Sequence, residues 1–478
     1  MIANRDSRSA AAFGARARLL AMVAFFVVVA LTGGGARADI LSLVVLRPLA
    51  VLFAAYAIMA APRGSLARVG GPLALAGFLA IIVAVQLIPL PPGLWHALPA
   101  REAVVRIDAL VGMESAWRPL TLSPAGTWNA LFSLAIPVAA ILLYGALEPG
   151  DRFVVIKLWL GFAVASALLA IAQLLGNPEG PLYLYAVTNT GEPVGLLSNA
   201  NHQAVLLVSA IPLAAFWGSR RDRRNKAKLL PGSLMAALFL FVVVLTASRA
   251  GLALAIPATA IAFAVLLRSA LAGLAERRPA SPGRRPLPRS VVLGGAVAAT
   301  IAVAGAGLFG LASRASGLAA VVTTSAQDEM RFKALPTLLE MLGRVWALGT
   351  GAGSFDKAYK MFEPMGALSR YYLNHAHNDW LEVLLDHGLL GLAALAIMVV
   401  WVVRSAARLW QVRSLTTLER VALAFPLAAV AVSSLVDYPM RVPVAVTLFV
   451  LLVLAMRDGA VIAAMPRASG GGRAGRPG

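Results

Sequence analysis

Residues 375–403 read HAHNDWLEVLLDHGLLGLAALAIMVVWVV, a polar opening that turns into an apolar run with no charge after His387. An apolar run of roughly 17–25 residues is what a helix needs to cross ~30 Å of hydrocarbon. Similar stretches recur on either side, at about 19–32, 40–61, 71–90, 127–146, 153–175, 203–217, 229–246, 250–267, 291–311, 419–436 and 442–456. Only helices and closed barrels satisfy their backbone polar groups in lipid, and runs of this length specify helices. The expected fold is therefore all-α, a polytopic membrane protein with about 12 transmembrane helices and a large loop before the tenth.

Composition agrees. The 478 residues are 59% hydrophobic and 13% charged, against about 25% charged in soluble domains. The chain contains no cysteine, which excludes disulfides, a thiolate nucleophile and thiolate metal sites. The net charge of +20 reads as cytoplasmic Lys and Arg rather than as a nucleic-acid surface. Basic residues crowd the N-terminus, 220–228, 268–289 and 404–420, and alternate connections carry about twice as many as their opposites. That bias predicts both termini in the cytoplasm and puts 91–126, 176–202 and 312–379 on the opposite, outer face.

The expected organisation is a cytoplasmic segment 1–18, helices one to nine over 19–311, an outer-face loop 312–379, helices ten to twelve over 380–456, and a disordered cytoplasmic tail 457–478. The start of the chain imitates a signal peptide, with a basic segment, an apolar stretch and Ala36-Arg37-Ala38. With so many spans following, an uncleaved first helix is the expectation. Within the large loop, Ser325 before QDE and the spacing of Met330, Leu335, Leu338, Leu339, Leu342 and Val345 predict an amphipathic helix over about 326–345. Pro336 predicts a break or kink in it. GTGAGSF at 349–355 reads as a flexible turn, since it lacks the GK[ST] ending of a phosphate-binding loop.

Ionisable groups where a loop enters a membrane are costly and tend to serve chemistry. His377 is the leading candidate, because a neutral imidazole can take a proton from a hydroxyl near neutral pH. Glu382 lies within reach of the loop and could orient or balance the site. His375-Ala-His377 with Asp379 and Glu382 also admits a metal reading, but HxH alone is weak and no HExxH or DxD accompanies it. His387, mid-span beside Gly388, reads as a packed, hydrogen-bonded residue. Arg249, in TASRAG between two spans with almost no loop, could grip an anion or snorkel to headgroups. Arg331 in the loop helix, Arg441 in DYPMRVP and the LLSNANHQA segment with Asn199, Asn201 and His202 complete the outer-face clusters.

Taken in order, TASR, an arginine-bearing loop helix, GTGAGSF, AHNDWLEVLLDHGLLG and DYPMRVP resemble the O-antigen ligase and polymerase superfamily over roughly residues 195–456. The resemblance implies an inner-membrane glycosyltransferase with a large periplasmic loop, moving a glycan from undecaprenyl pyrophosphate to an acceptor hydroxyl without metal, nucleotide or other cofactor. It implies His377 as the catalytic base, Arg249 and Arg331 as holders of the pyrophosphate, and supportive roles for Asn199, Asn201 and Glu382; Arg441 is carried with them as substrate-binding. The acceptor would be lipid A core in a ligase or another lipid-linked saccharide in a polymerase, with membrane lipids around it and no nucleic acid. A protein acceptor is a third choice. A two-half transporter is the rival class, disfavoured because the large loop has no counterpart in the first half.

Overall fold

The computed structural model describes residues 2–37, 39–220, 229–275, 326–368 and 372–459. Thirteen principal helices run through them: α1 (Ile2–Thr32), α2 (Ser42–Ala60), α3 (Gly70–Val85), α4 (Pro124–Ser133), α5 (Ala135–Ala146), α6 (Val154–Leu175), α7 (Ala200–Ser219), α8 (Leu229–Leu245), α9 (Arg249–Ala275), α10 (Ala326–Val345), α11 (Asp379–Ala407), α12 (Thr417–Ser433) and α13 (Pro443–Asp458). The protein is all-α and polytopic. Eight helical segments among the described residues are long and apolar enough to cross a membrane, and α8, α12 and α13 are shorter helices at further expected spans. The expected span 291–311 lies outside the described residues, as do most of the tail 457–478 and the first part of the 312–379 loop. The only strands among the described residues are Pro89–Leu90 and Arg118–Pro119, paired antiparallel in the connection between α3 and α4.

Helix α7 is the axis of the bundle. Its residues from Ala200 to Gly218 are apolar nearly all round, and nearly all are buried, as expected of a helix enclosed by other helices. Small residues let its neighbours close in: a methyl on Gly232 of α8 would lie 2.8 Å from the Gly218 Cα, and one on Gly251 of α9 2.5 Å from Ala204. Helices α6 and α12 complete the ring around it. The outer helices turn large apolar side chains outward, Val44, Leu52, Met59, Ile81 and Ile256 among them. Lipid solvates such a surface, whereas water would penalise it.

The two ends of the bundle differ. One end is tied by arginine–carboxylate pairs, Arg18–Glu148 and Arg152–Asp458 at 2.6 Å and Arg220–Glu419 at 3.1 Å. The other end carries the long connections. There Ser198 N donates to the Gly34 carbonyl after α1, Gln86 after α3 donates to the Asp386 carbonyl early in α11, and Asp379 at the start of α11 is bound to Ser434 after α12.

One expectation is narrowed and one needs correction. Helix α10 matches the expected range and continues through Pro336, so the break-or-kink expected there is not a break. The missing amide removes one hydrogen bond of the ladder, and the packed face formed by Ala334, Leu338, Met341 and Val345 continues across it. The GTGAGSF segment is not a flexible turn: Thr350, Ala352 and Ser354 are buried. It repairs a fault in α11, where Gly388 leaves helical geometry at φ 57 and ψ −138. That break frees the Leu385 and Asp386 carbonyls, which accept from Thr350 N (2.8 Å) and Gly351 N (3.0 Å), while Leu389 N donates to the Ala347 carbonyl (3.1 Å). Ala352 N donates to Gln86 Oε1 and Gly353 N to Asp386 Oδ2. Amides engaged in this way are not a phosphate cradle.

Candidate active site

The candidate site sits where α11 begins, α12 ends and α7 begins. Asn378 caps α11, its side chain accepting from Leu381 N at 3.0 Å, and it donates to the Leu435 carbonyl beyond α12. Asp379 follows, accepting from Ser434 Oγ (2.8 Å) and Met440 N (3.1 Å). Trp380 Nε1 reaches the Ala431 carbonyl at 3.1 Å. These bonds fix the loop 434–442 against the start of α11.

His377 is held just outside that helix, one residue before the cap, with a left-handed φ of 50°. Non-glycine residues there cost energy and persist where surrounding contacts impose the geometry. Its Nδ1 lies 3.5 Å from Asp437 Oδ1, and the carboxylate is almost fully buried. His202, in the first turn of α7, places Nε2 3.6 Å from the same oxygen. The Tyr438 ring packs between the imidazoles of His375, His202 and His377, at centroid distances of 4.4, 5.0 and 4.8 Å. A carboxylate beside an imidazole selects a ring orientation and stabilises the imidazolium that forms when the ring accepts a proton. His377 keeps 14% side-chain exposure against 5% for Asp437, so the imidazole is the more accessible partner.

Glu382 does meet the loop, though through His375 rather than His377. It accepts from His375 Nδ1 at 2.7 Å and from Ala376 N at 2.8 Å, and Arg441 Nη2 stands 3.3 Å away. Arg441 also faces Asp386 at 3.5 Å and Asp379 at 3.8 Å. Burial works to lower the pKa of its guanidinium, and Glu382, Asp386 and Asp379 together raise it further, so the cation is held firmly charged. With three carboxylates around it, Arg441 knits α11 to the loop before α13. The two histidines of the HxH pair have different carboxylate partners. His387 is packed, with Gln86 Nε2 3.3 Å from its Nδ1.

The remaining expected residues distribute as follows. Asn199 is the N-cap of α7, its side chain accepting from Asn201 N at 2.8 Å, which gives it a local backbone role. Asn201 is partly exposed in the first turn of the same helix. Arg249 is the first residue of α9 and is exposed. The contact of Gly251 with Ala204 brings that end of α9 beside the end of α7 that carries His202. Arg331 lies in the second turn of α10. The structure thus groups Glu382 and Arg441 directly, sets His377 beside Asp437 instead, and brings the starts of α7 and α9 alongside one another. Asp437 and Tyr438 were not singled out from the sequence, although both stand in the DYPMRVP island that pointed to Arg441. Two polar residues between apolar spans were the available signal.

Residues 234–396 match the family described as O-antigen ligase. The matched stretch runs from α8 into α11 and contains Arg249, Arg331, His377 and Glu382; Asn199, Asn201, His202, Asp437 and Arg441 lie outside it. No curated protein matches the chain.

Proposed function

Because residues 234–396 place this chain in the O-antigen ligase superfamily, we propose that it is a membrane glycosyltransferase that moves a saccharide from undecaprenyl pyrophosphate to an acceptor hydroxyl at the periplasmic face of the bacterial inner membrane. The observation that carries this reading is the His377–Asp437 pair, an accessible imidazole 3.5 Å from a buried carboxylate at the loop-bearing end of the bundle. The acceptor oxygen attacks the anomeric carbon and passes its proton to His377. The bond from that carbon to the pyrophosphate breaks, and its electron pair leaves with the phosphate oxygen. Asp437 balances the imidazolium.

A lipid pyrophosphate is already a good leaving group, so the reaction needs a base on one side and cations on the other. Arg249, and Arg331 with it, are proposed to hold the pyrophosphate, for which a guanidinium is matched in geometry as well as charge. Glu382, His375 and Arg441 are proposed to hold the loop that presents His377. The placement on the face opposite the cytoplasm rests on the distribution of Lys and Arg along the chain, and the family likeness makes that face periplasmic.

The acceptor in this reading is lipid A core. His377→Ala is expected to lower transfer by about 10²–10⁴-fold, the usual worth of a positioned general base, with the protein still inserted at normal level. Full activity in that variant would remove the assignment. A strain lacking the protein is expected to accumulate full-length lipid-linked polymer. Accumulation of single repeat units would instead identify a polymerase, whose acceptor is another lipid-linked saccharide.

A further inference from the structure

The loop helix α10 has three faces. Ala334, Leu338, Met341 and Val345 are buried against Phe355, Tyr359 and Leu385. Lys333, Glu340 and Arg344 form an exposed polar face, with Arg344 and Glu340 paired along it at 3.4 Å. Between these lies a third face: Leu335, Leu339 and Trp346 are 46%, 54% and 55% exposed. At 100° per residue these three fall within about 40° of one another, a narrow stripe rather than scattered exposure.

The C-terminal end of this stripe is fixed by a backbone bond. Leu389 N of α11 donates to the Ala347 carbonyl, so Trp346 and its neighbour Leu348 stand level with Leu389. That is the point at which α11 becomes a lipid-facing helix. From Leu389 to Val403 it carries no charged residue, and Leu389, Leu390, Leu392, Ile397, Val400 and Val403 are exposed. Before that point its exposed character ends and its carboxylates turn inward. The Trp346 end of this apolar edge therefore adjoins the outward-facing apolar surface of α11.

We propose that α10 is an interfacial helix whose Leu335–Leu339–Trp346 stripe beds into the edge of the bilayer, with the face that carries Lys333, Glu340 and Arg344 turned to water. The features required are present: an apolar stripe, a charged face turned away from it, and a tryptophan at the level where hydrocarbon gives way to headgroups. Such a seat holds the loop down on the leaflet beside the candidate site, and it keeps Arg331, one turn before Leu335, at headgroup height. The inference depends on the exposure pattern and the Ala347–Leu389 bond, and it stands whether or not the proposed chemistry does.

The absence of cysteine makes the test direct. Single-cysteine variants Leu335→Cys, Leu339→Cys, Glu340→Cys and Trp346→Cys of the full chain would carry a nitroxide label in phosphatidylethanolamine–phosphatidylglycerol vesicles. Collisions with oxygen, which partitions into lipid, would be compared with collisions with a water-soluble nickel chelate. The oxygen-to-nickel ratio is expected to be several-fold higher at 335, 339 and 346 than at 340. Equal ratios at 339 and 340 would overturn the proposal in favour of a water-facing helix. Labels at 335, 339 and 346 that are closed to both reagents would overturn it in favour of a protein partner, such as a second copy of the chain. Three independent sites on the stripe keep the result readable if one substitution disturbs folding.

Discussion

His377 stands outside α11 in a left-handed backbone conformation, and two carboxylates hold its surroundings from opposite sides. Glu382 binds the amide of the preceding residue, and Asp437 faces the ring. These two contacts predict different phenotypes. Asp437→Asn keeps the shape and removes the charge that balances an imidazolium. It is expected to lower kcat by roughly 10-fold or more, within the range of general-base effects, with little change in donor KM; unchanged kcat would separate Asp437 from the reaction. Glu382→Gln leaves Arg441 with one fewer carboxylate in a buried cluster and is expected to lower stability by about 1–3 kcal/mol, read as an earlier thermal transition in detergent. Arg249→Lys replaces a planar fork with a point charge. Reduced use of the pyrophosphate donor would agree with the proposed grip, and unimpaired transfer would favour a headgroup contact. Histidine, arginine and their polar neighbours were legible as residue types in the sequence. Asp437 was less so, since a lone aspartate gains its meaning only from the ring that it faces.

At the scale of elements, the break in α11 is the structural device behind the site. Gly388 has φ 57, and a methyl there would lie 2.4 Å from the Ala347 carbonyl oxygen. Gly388→Ala therefore meets both a backbone conformation that disfavours a side chain and a direct clash, and is expected to cost roughly 1–3 kcal/mol or more. Loss of the monodisperse peak in size-exclusion chromatography would report it, and a wild-type profile would mean that α11 can straighten. Periodicity located α10 correctly at Ala326–Val345, because its apolar spacing is strong. It could not show that the glycines after it close on α11, because that pairing joins residues 347–353 to residues 385–389 through backbone atoms that carry no side-chain signal. For the same reason GTGAGSF looked mobile when read alone.

For the whole molecule, the proposed orientation makes a simple prediction. A green fluorescent reporter fused after Asp458 is expected to fluoresce from the cytoplasm, and a dark fusion with normal expression would invert the topology and the proposed face of the site. The length and apolarity of the runs determined by themselves that this chain is a helical membrane protein, since hydrocarbon admits few other solutions. The order of its short polar segments likewise pointed to the family before any contact was known. Which groups meet was decided by tertiary structure alone. His202, His377 and Asp437 are brought together across α7, the start of α11 and the end of α12, Arg441 is surrounded by three carboxylates of one helix, and the edge of α10 is set level with Leu389. Hydropathy is a property of each residue and its near neighbours, whereas these meetings depend on how helices far apart in the chain pack, and that arrangement is written in no local pattern.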